Sequence, residues 1–524
     1  MEGYGKTTPL LISWYIAILL TIQKKKIMAQ GLTPGIILGI IAVYFLILFT
    51  ISFFTGKESS NENFFVGGRK SPWPIVAFGM IGATLSGVTF ISIPGVVGAD
   101  GLNKAFSYMQ LVFGYLLGYL VIATVLMPIY YRLQLTSIYG YLQQRFGKNA
   151  YHTGAAYFLL SRTIGASFRL YLVALVLDTF VMGPFGIPFW GTVLGSIILI
   201  WIYTFKGGIK TIIWTDTLQT LSMLTAVVLT IWAIGNALST DLSGLAQKVV
   251  ASDYSQVFFF EGGWSDPNNF FKQFISGALI TIVMTGLDQD MMQKNLSCRN
   301  LKEAQKNMFL FSGVLLVAKF LFLALGALLY IFAAEKGIAI PDKTDQLYPL
   351  IALEHLSPFI GILFVIGLIA AAYSSADSAL TALTTSFCVD FLGFEKKEQS
   401  TESQQKQRFM VHLGFSSLLF IVIMVFNSIN NDAVISQVFT AAGYTYGPLL
   451  GLFAFGIFTK LEVKDAYVIP VCLLSPILSY GINNFSEQIL FGFKFGFLII
   501  LLNGFLTFAG LLIISNWKSA FGKN

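Results

Sequence analysis

Ser374, Ser375, Asp377 and Ser378 lie inside an apolar stretch running from about Phe359 to Phe387. Its middle reads Gly367-Leu-Ile-Ala-Ala-Ala-Tyr-Ser-Ser-Ala-Asp-Ser-Ala-Leu380. A carboxylate at bilayer depth costs roughly 2.5–3.5 kcal/mol on insertion scales unless it faces a partner, an ion or water. At helical spacing Ser374, Asp377 and Ser378 share one face. Hard oxygen ligands on one face suit a hard cation such as Na⁺. Serines can also bond back to carbonyls one turn earlier and simply pack helices. The clustering around Asp377 favours a functional site.

Such a face needs a membrane helix to carry it, and the composition supplies one. The chain has 524 residues, 55% apolar and only 11% charged, against about 25% charged in a soluble domain. This is the composition of an integral membrane protein. Long continuous apolar segments, 15% aromatic residues and 49 glycines fit an all-α bundle with close crossings rather than a β-barrel. Cys298, Cys388 and Cys472 show no paired spacing, and His152, His355 and His412 form no metal motif. The net charge of +7 follows from membrane topology and implies no nucleic-acid partner.

Thirteen spans are expected, at 36–54, 73–97, 108–131, 152–182, 187–204, 210–236, 272–292, 307–334, 358–388, 409–427, 435–458, 465–481 and 491–515, each near or above the ~20 residues a bilayer needs when tilt is allowed. One set of loops carries twenty basic residues, among them Lys57, Arg69, Lys206, Lys294, Lys396, Lys397, Lys518 and Lys523, and the alternate set carries five. The positive-inside rule therefore expects a cytoplasmic C-terminus and an outer N-terminus in a cell inner (plasma) membrane. The apolar run 9–22 followed by Lys24-Lys25-Lys26 opposes that rule. Residues 1–27 are read as an extension foreign to the native protein or as a non-spanning interfacial segment, with Met28 a start that fits the topology.

The expected organisation is an N-terminal extension 1–35, an additional helix 36–54, a first five-helix repeat 73–236, a second repeat 272–458 and two C-terminal helices 465–515. The polar stretch 237–271 is read as an outer loop, and 395–408 as a cytoplasmic linker without an apolar face. The second set of five begins on the opposite side of the membrane from the first, which is the arithmetic of an inverted repeat. Each set opens with a helix interrupted by glycine and polar residues, Gly82-Ala-Thr-Leu-Ser-Gly-Val-Thr89 and Thr281-Ile-Val-Met-Thr-Gly-Leu-Asp-Gln289. Paired breaks point to a midplane binding site.

Four stretches carry a family resemblance: Asn63-Phe-Phe-Val-Gly-Gly-Arg69, Thr84-Leu-Ser-Gly-Val-Thr-Phe-Ile-Ser-Ile-Pro94, Trp214-Thr215-Asp216 with Gln219, and Gln293-Lys-Asn-Leu-Ser-Cys-Arg-Asn-Leu-Lys-Glu-Ala-Gln-Lys306. In order and at these depths, the chain resembles the sodium:solute symporter family over about residues 36–515. Its first core helix is most similar to the sodium/sialic acid branch. The resemblance implies a LeuT-type fold with alternating access and Na⁺ as coupling ion. It implies a common sodium site of carbonyls from Gly82, Leu85 and Ala371 with hydroxyls of Ser374 and Ser375. It implies a second site, present in part of the family, at Asp216 with Ser374, Ser378 and position 377. Here the chain departs, with Asp377 where the branch has serine. Asp216 could equally cap backbone or pair with Lys210.

For the solute, Thr84, Ser86, Thr89, Gln110, Arg169, Thr281 and Met284 are the candidates. The sugar-transporting branch has glutamine at Thr89, an aromatic gate at Met284 and asparagine at Thr281, so a plain hexose is disfavoured. The sialic acid branch holds the solute carboxylate with an arginine at the position of Gly165. This chain offers Arg169 one turn on, and arginine recognises carboxylates bidentately. Alternatively, Arg162 or Arg169 pairs internally with Asp216, Asp288 or Asp377, and Lys319 is a structural counter-ion.

The reading is a non-enzymatic symporter, acting as a monomer among membrane lipid. It couples inward Na⁺ flow to uptake of a small polar organic solute, such as a carboxylate of the sialic acid kind. The rivals are a Na⁺-independent facilitator or channel of the same fold, a Na⁺/sugar symporter, a transporter-like sensor and an intramembrane enzyme. The chain ending nine residues after its last expected span argues against the sensor. The lack of a metal cluster, nucleophile–base pair or nucleotide motif argues against the enzyme and against a primary pump.

Overall fold

The computed structural model describes residues 33–56, 61–205, 208–394, 401–429 and 434–516. The run 9–22, Met28, Lys57, Lys206, Lys396, Lys397, Lys518 and Lys523 lie outside the described residues. The helices that build the bundle are α1 (Pro34–Thr55), α2 (Trp73–Thr84), α3 (Tyr108–Val121), α4 (Lys148–Leu177), α5 (Phe189–Thr204), α6 (Gly208–Ala237) and α7 (Phe270–Thr281). They continue with α8 (Gln289–Leu296), α9 (Leu301–Lys336), α10 (Pro358–Ser386), α11 (Thr401–Ile429), α12 (Val434–Phe458), α13 (Val468–Asn484) and α14 (Ile499–Ile513).

Among the described residues ten helices are long and apolar enough to cross a bilayer, and two bent pairs raise the number to twelve. The span expected at 187–204 is α5, an apolar helix of 16 residues. Local chemistry sets the ends. Thr33 accepts from the Ile36 amide ahead of Pro34, and Asn269 and Asn300 cap α7 and α9 with their side-chain oxygens. Gly337 closes α9 with a left-handed φ of 65° that favours glycine.

Both expected breaks are present. α2 stops at Thr84, Leu85 takes a non-helical ψ of 70°, and the chain resumes at Val88–Val96 after a bend of 65°. The second span turns 63° between Gly286 and Gln289. There Asp288 leaves the helical region and accepts from the amides of Asp290 and Met291, starting α8 afresh. A broken helix leaves the carbonyls of its last turn without intrahelical donors. In a bilayer such groups are tolerated only where protein or a polar cavity surrounds them.

One expectation needs correction, and two stretches gain helical detail. Lys294 was counted with the basic loops, yet it lies within α8 and is fully buried. Its helix is the short half of a broken span, so its polar composition imitates a loop. The linker 395–408 is helical from Thr401, where α11 begins. The polar stretch 237–271 contains a helix, Leu242–Val250, capped by Asp241.

Packing brings α6 against α10 and α2, α3 against α7, α4 against α10 and α12, and α12 against α14. Small residues permit the closest crossing. A Cβ on Gly114 would strike the carbonyl oxygen of Phe274, and one on Gly277 that of Leu111, so α3 and α7 meet backbone to backbone. We expect Gly277→Val to lower the melting temperature of the detergent-solubilised protein, at a cost of about 2 kcal/mol or more. Gly414→Ala, on an exposed face with open space beside it, should leave it unchanged. Equal melting temperatures for the two variants would contradict this packing.

Candidate functional site

The serine-rich turn of α10 faces the first break. Ser374 Oγ donates to the Gly82 carbonyl at 2.9 Å and, less closely, to Ala371 one turn back at 3.4 Å. Gly82 has no side chain because α6 presses on it: a Cβ there would stand 2.5 Å from Thr220 Oγ1 and 2.8 Å from the Asp216 carbonyl. Leu85 sits at the C-terminal end of α2, beside the chain's change of direction. Ser375, the next residue of α10, accepts from Arg169 Nη1 at 3.1 Å through its hydroxyl. Gly82, Ala371 and Ser374 thus form an oxygen-rich, charge-free corner, and Ser375 links it to α4.

Deeper along α10 the groups are charged. Asp216 on α6 and Lys294 on α8, both without solvent exposure, form an ion pair of 2.7 Å. Ser378 Oγ donates to the same Asp216 Oδ2 at 3.2 Å. Asp377 accepts from the Tyr203 hydroxyl at 2.8 Å and from the Ser378 amide at 2.5 Å. Two carboxylates against one ammonium leave one negative charge over. Asp216 Oδ1, both amide atoms of Gln219 one turn along α6, and the Thr381 hydroxyl one turn beyond Asp377 are buried without a hydrogen-bond partner in the protein. Unpaired buried polar atoms are costly. Oxygen-rich ligands plus a deficit of one positive charge fit Na⁺. Asp216 therefore pairs with Lys294, a partner absent from the expectations. Gln219 was noticed only as part of a motif, and it adds an unsatisfied carbonyl to the set.

On the other side of the break lies a cavity of about 90 Å³ lined by Thr84, Ser86, Thr89, Tyr108, Arg162, Arg169, Thr281, Met284 and Lys319, among others. About 10–15 Å³ measured in this way holds one water, so the space suits a few waters or a small organic molecule. Six of the seven expected solute residues line it. Gln110 does not. It is fully buried beside the 237–271 loop, donating to the Asn268 carbonyl at 2.8 Å and accepting from the Phe259 amide at 3.1 Å. Its polarity serves to hold that loop.

The cations of the cavity differ in their partners. Arg162 is ion-paired with Asp290. Neither that pairing nor a role for Asp290 was anticipated. Among the described residues Arg169 and Lys319 make no ion pair. Lys319 donates to Thr89 Oγ1 at 2.8 Å and lies 5.6 Å from the centre of the Tyr108 ring. A separate, smaller cavity of about 10 Å³ beside Gly165 is lined by Arg162, Arg169 and Tyr446, among others, and Tyr446 donates to Asp288 at 2.5 Å. The region thus holds Arg162, Arg169 and Lys319 against Asp288 and Asp290, one positive charge over. Among the described residues no group of three or more His, Cys, Asp or Glu side chains could hold a transition metal, and all three cysteines are buried and free.

The buried Asp216–Lys294 pair yields a direct test. Removing one partner of a buried pair costs about 3–5 kcal/mol because the other is left charged and alone. We expect Lys294→Met to lower the melting temperature markedly, and Lys294→Met/Asp216→Asn to recover most of the loss. Additive losses in the double variant would contradict the pairing.

The comparisons with known proteins agree with this geometry. The model of the sodium:solute symporter family matches residues 64–464. The sodium/sialic acid symporter NanT of Aliivibrio fischeri is 25% identical over 87% of this chain and 89% of its own length. The sodium-coupled monocarboxylate transporter 2 of Bos taurus is 26% identical over 76% of this chain and 64% of its own. A Na⁺-coupled sialic acid symporter, solved substrate-bound and outward-open, superposes on 93% of this chain and 98% of its own with a TM-score of 0.78 at 21% identity. The two share the LeuT-type fold of inverted five-helix repeats. With the family model spanning well over half its length, the chain belongs to the sodium:solute symporter family.

Proposed function

We propose that the protein uses the inward Na⁺ gradient to take up a small organic anion carrying one carboxylate. The observation that carries this reading is the charge around the cavity, whose charged groups leave one positive charge over and include Arg169 and Lys319 without an ion-pair partner among the described residues. A cation held at this depth without an anion is expensive, and a solute carboxylate supplies what is missing. Relatives whose names specify sialic acid and monocarboxylates act on solutes of this charge. Arg169 offers a planar fork to the carboxylate, with Gly165 leaving room beside it. Thr84, Ser86, Thr89, Thr281 and Met284 shape the remainder.

Sodium enters this reading twice. The neutral corner of Gly82, Leu85, Ala371, Ser374 and Ser375 holds one ion weakly enough for release. Asp216, Asp377 and Ser378, with Gln219 beside them, hold a second against the excess negative charge. Two Na⁺ would then move with each solute, each contributing about 2.3 kcal/mol per 100 mV. The repeats run over 73–236 and 272–458, preceded by the additional helix 36–54 and followed by two helices in 465–515. Removing Lys294 from the loop count leaves the basic bias intact, so the N-terminus is placed outside and the C-terminus in the cytoplasm. A single chain contains both ion corners and the cavity, and is taken as the working unit.

Proteoliposomes given radiolabelled N-acetylneuraminate, lactate and galactose, with and without an inward Na⁺ gradient, test the reading. We expect Na⁺-driven accumulation of a carboxylate. Accumulation of the neutral sugar alone, or uptake indifferent to Na⁺, would sink it. Ser374→Ala/Ser375→Ala should insert normally but lose most Na⁺-driven accumulation. Arg169→Lys should keep the charge, lose the fork and weaken apparent solute affinity at least about tenfold. Normal affinity with a lowered melting temperature would instead assign Arg169 to internal packing.

A further inference from the structure

Two cations of the cavity lack an ion-pair partner among the described residues, but their other contacts differ. Lys319 bonds to Thr89 and faces Tyr108, within the cavity wall. Arg169 also lines the cavity, yet its Nη1 bonds to Ser375 Oγ at 3.1 Å. Ser375 neighbours Ser374, whose hydroxyl lies on the Gly82 carbonyl at the helix break. One guanidinium therefore reaches from the solute space to the corner proposed for Na⁺.

We propose that Arg169 is the coupling residue of the symporter, making Na⁺ binding at the Gly82–Ser374 corner depend on the solute's negative charge. The inference rests on the reading that the solute is an anion and that Ser375 is a sodium ligand. A guanidinium bonded to Ser375 places a positive charge against that corner and engages a lone pair of one of its oxygens. Both effects disfavour a cation there. A carboxylate entering the cavity that Arg169 lines can take its fork bidentately. That exchange neutralises the charge and frees the serine oxygen, so the anion strengthens Na⁺ binding. By linkage Na⁺ strengthens anion binding by the same factor. Lys319 has no bond to the ion corner, so it contributes affinity for the anion without this coupling.

The test is binding of ²²Na⁺ to purified protein in chloride buffer, alone and with saturating N-acetylneuraminate or lactate as probe anions. In the wild type, a probe anion that binds should tighten Na⁺ binding about fivefold or more. In Arg169→Met, Na⁺ binding without anion should already be tighter by a similar factor, and no probe should tighten it further. Lys319→Met should need more anion yet keep the full tightening at saturation. The inference is overturned if Arg169→Met binds Na⁺ as the wild type does in the absence of anion, or if anions still tighten its Na⁺ binding. Should neither probe bind the wild type, the anionic-solute reading fails, while the anion-free comparison of the two proteins still decides the role of Arg169. If Arg169→Met does not fold, Arg169→Lys replaces it. It keeps a charge and loses the fork, and the anion effect on Na⁺ should shrink. An undiminished effect there would overturn the proposal as well.

Discussion

Charge held inside a low-dielectric bundle must be balanced, and this constraint organises the protein. The described part of the membrane region contains Asp216, Asp288, Asp290, Asp377, Arg162, Arg169, Lys294 and Lys319, all at positions packed among helices. Within this set two ion pairs are direct, Asp216 with Lys294 and Arg162 with Asp290. The other four have only neutral partners: Tyr203 and the Ser378 amide for Asp377, Tyr446 and the α8 amides for Asp288, Ser375 for Arg169 and Thr89 for Lys319. These residual charges are segregated. The negative excess gathers where α6, α8 and α10 meet, and the positive excess in the cavity beyond the first break. A symporter that moves Na⁺ with the anionic solute proposed above needs this separation, because each species must find its complement without cancelling the other's.

The helix breaks make the separation physical. By stopping at Thr84 and Gly286, two spans expose backbone carbonyls and amides at a depth where regular helix would hide them. Gly82 lets α6 close on the first break, and Asp288 converts the second into a fresh helix start. The serines of α10 then face carbonyls rather than lipid. Polar surface inside the bundle is maintained by the same close crossings that stabilise it, at Gly79, Gly82, Gly114 and Gly277. Stability and function therefore draw on one set of small residues.

Much of this was legible in the sequence, for identifiable reasons. Asp377 and Asp216 stand out because a carboxylate in an apolar run is visible without knowing its neighbours. The paired interruptions around Gly82–Thr89 and Thr281–Gln289 show as glycine and polar residues within otherwise apolar spans, and both became bends. Lys294 was misplaced because α8 is short and polar, and a buried half-helix of eight residues carries no hydropathy signal to distinguish it from a loop. The Arg162–Asp290 pair was missed because pairing across 128 positions depends on how α4 crosses α8. Gln110 shared the depth of the solute residues but pointed toward the 237–271 loop, a direction fixed by the register of α3 against 256–268. Residue type and depth could be read from the sequence, whereas azimuth around a helix axis could not.

In the proposed cycle the separated excess charges, one negative and one positive, bind two Na⁺ and one monoanionic solute. Simultaneous recording of current and isotopic solute uptake, under an inward Na⁺ gradient across the same membranes, is the decisive measurement. With two Na⁺ and one monoanion, one net positive charge enters with each solute molecule. Electroneutral uptake, with solute entering and no accompanying current, would contradict it.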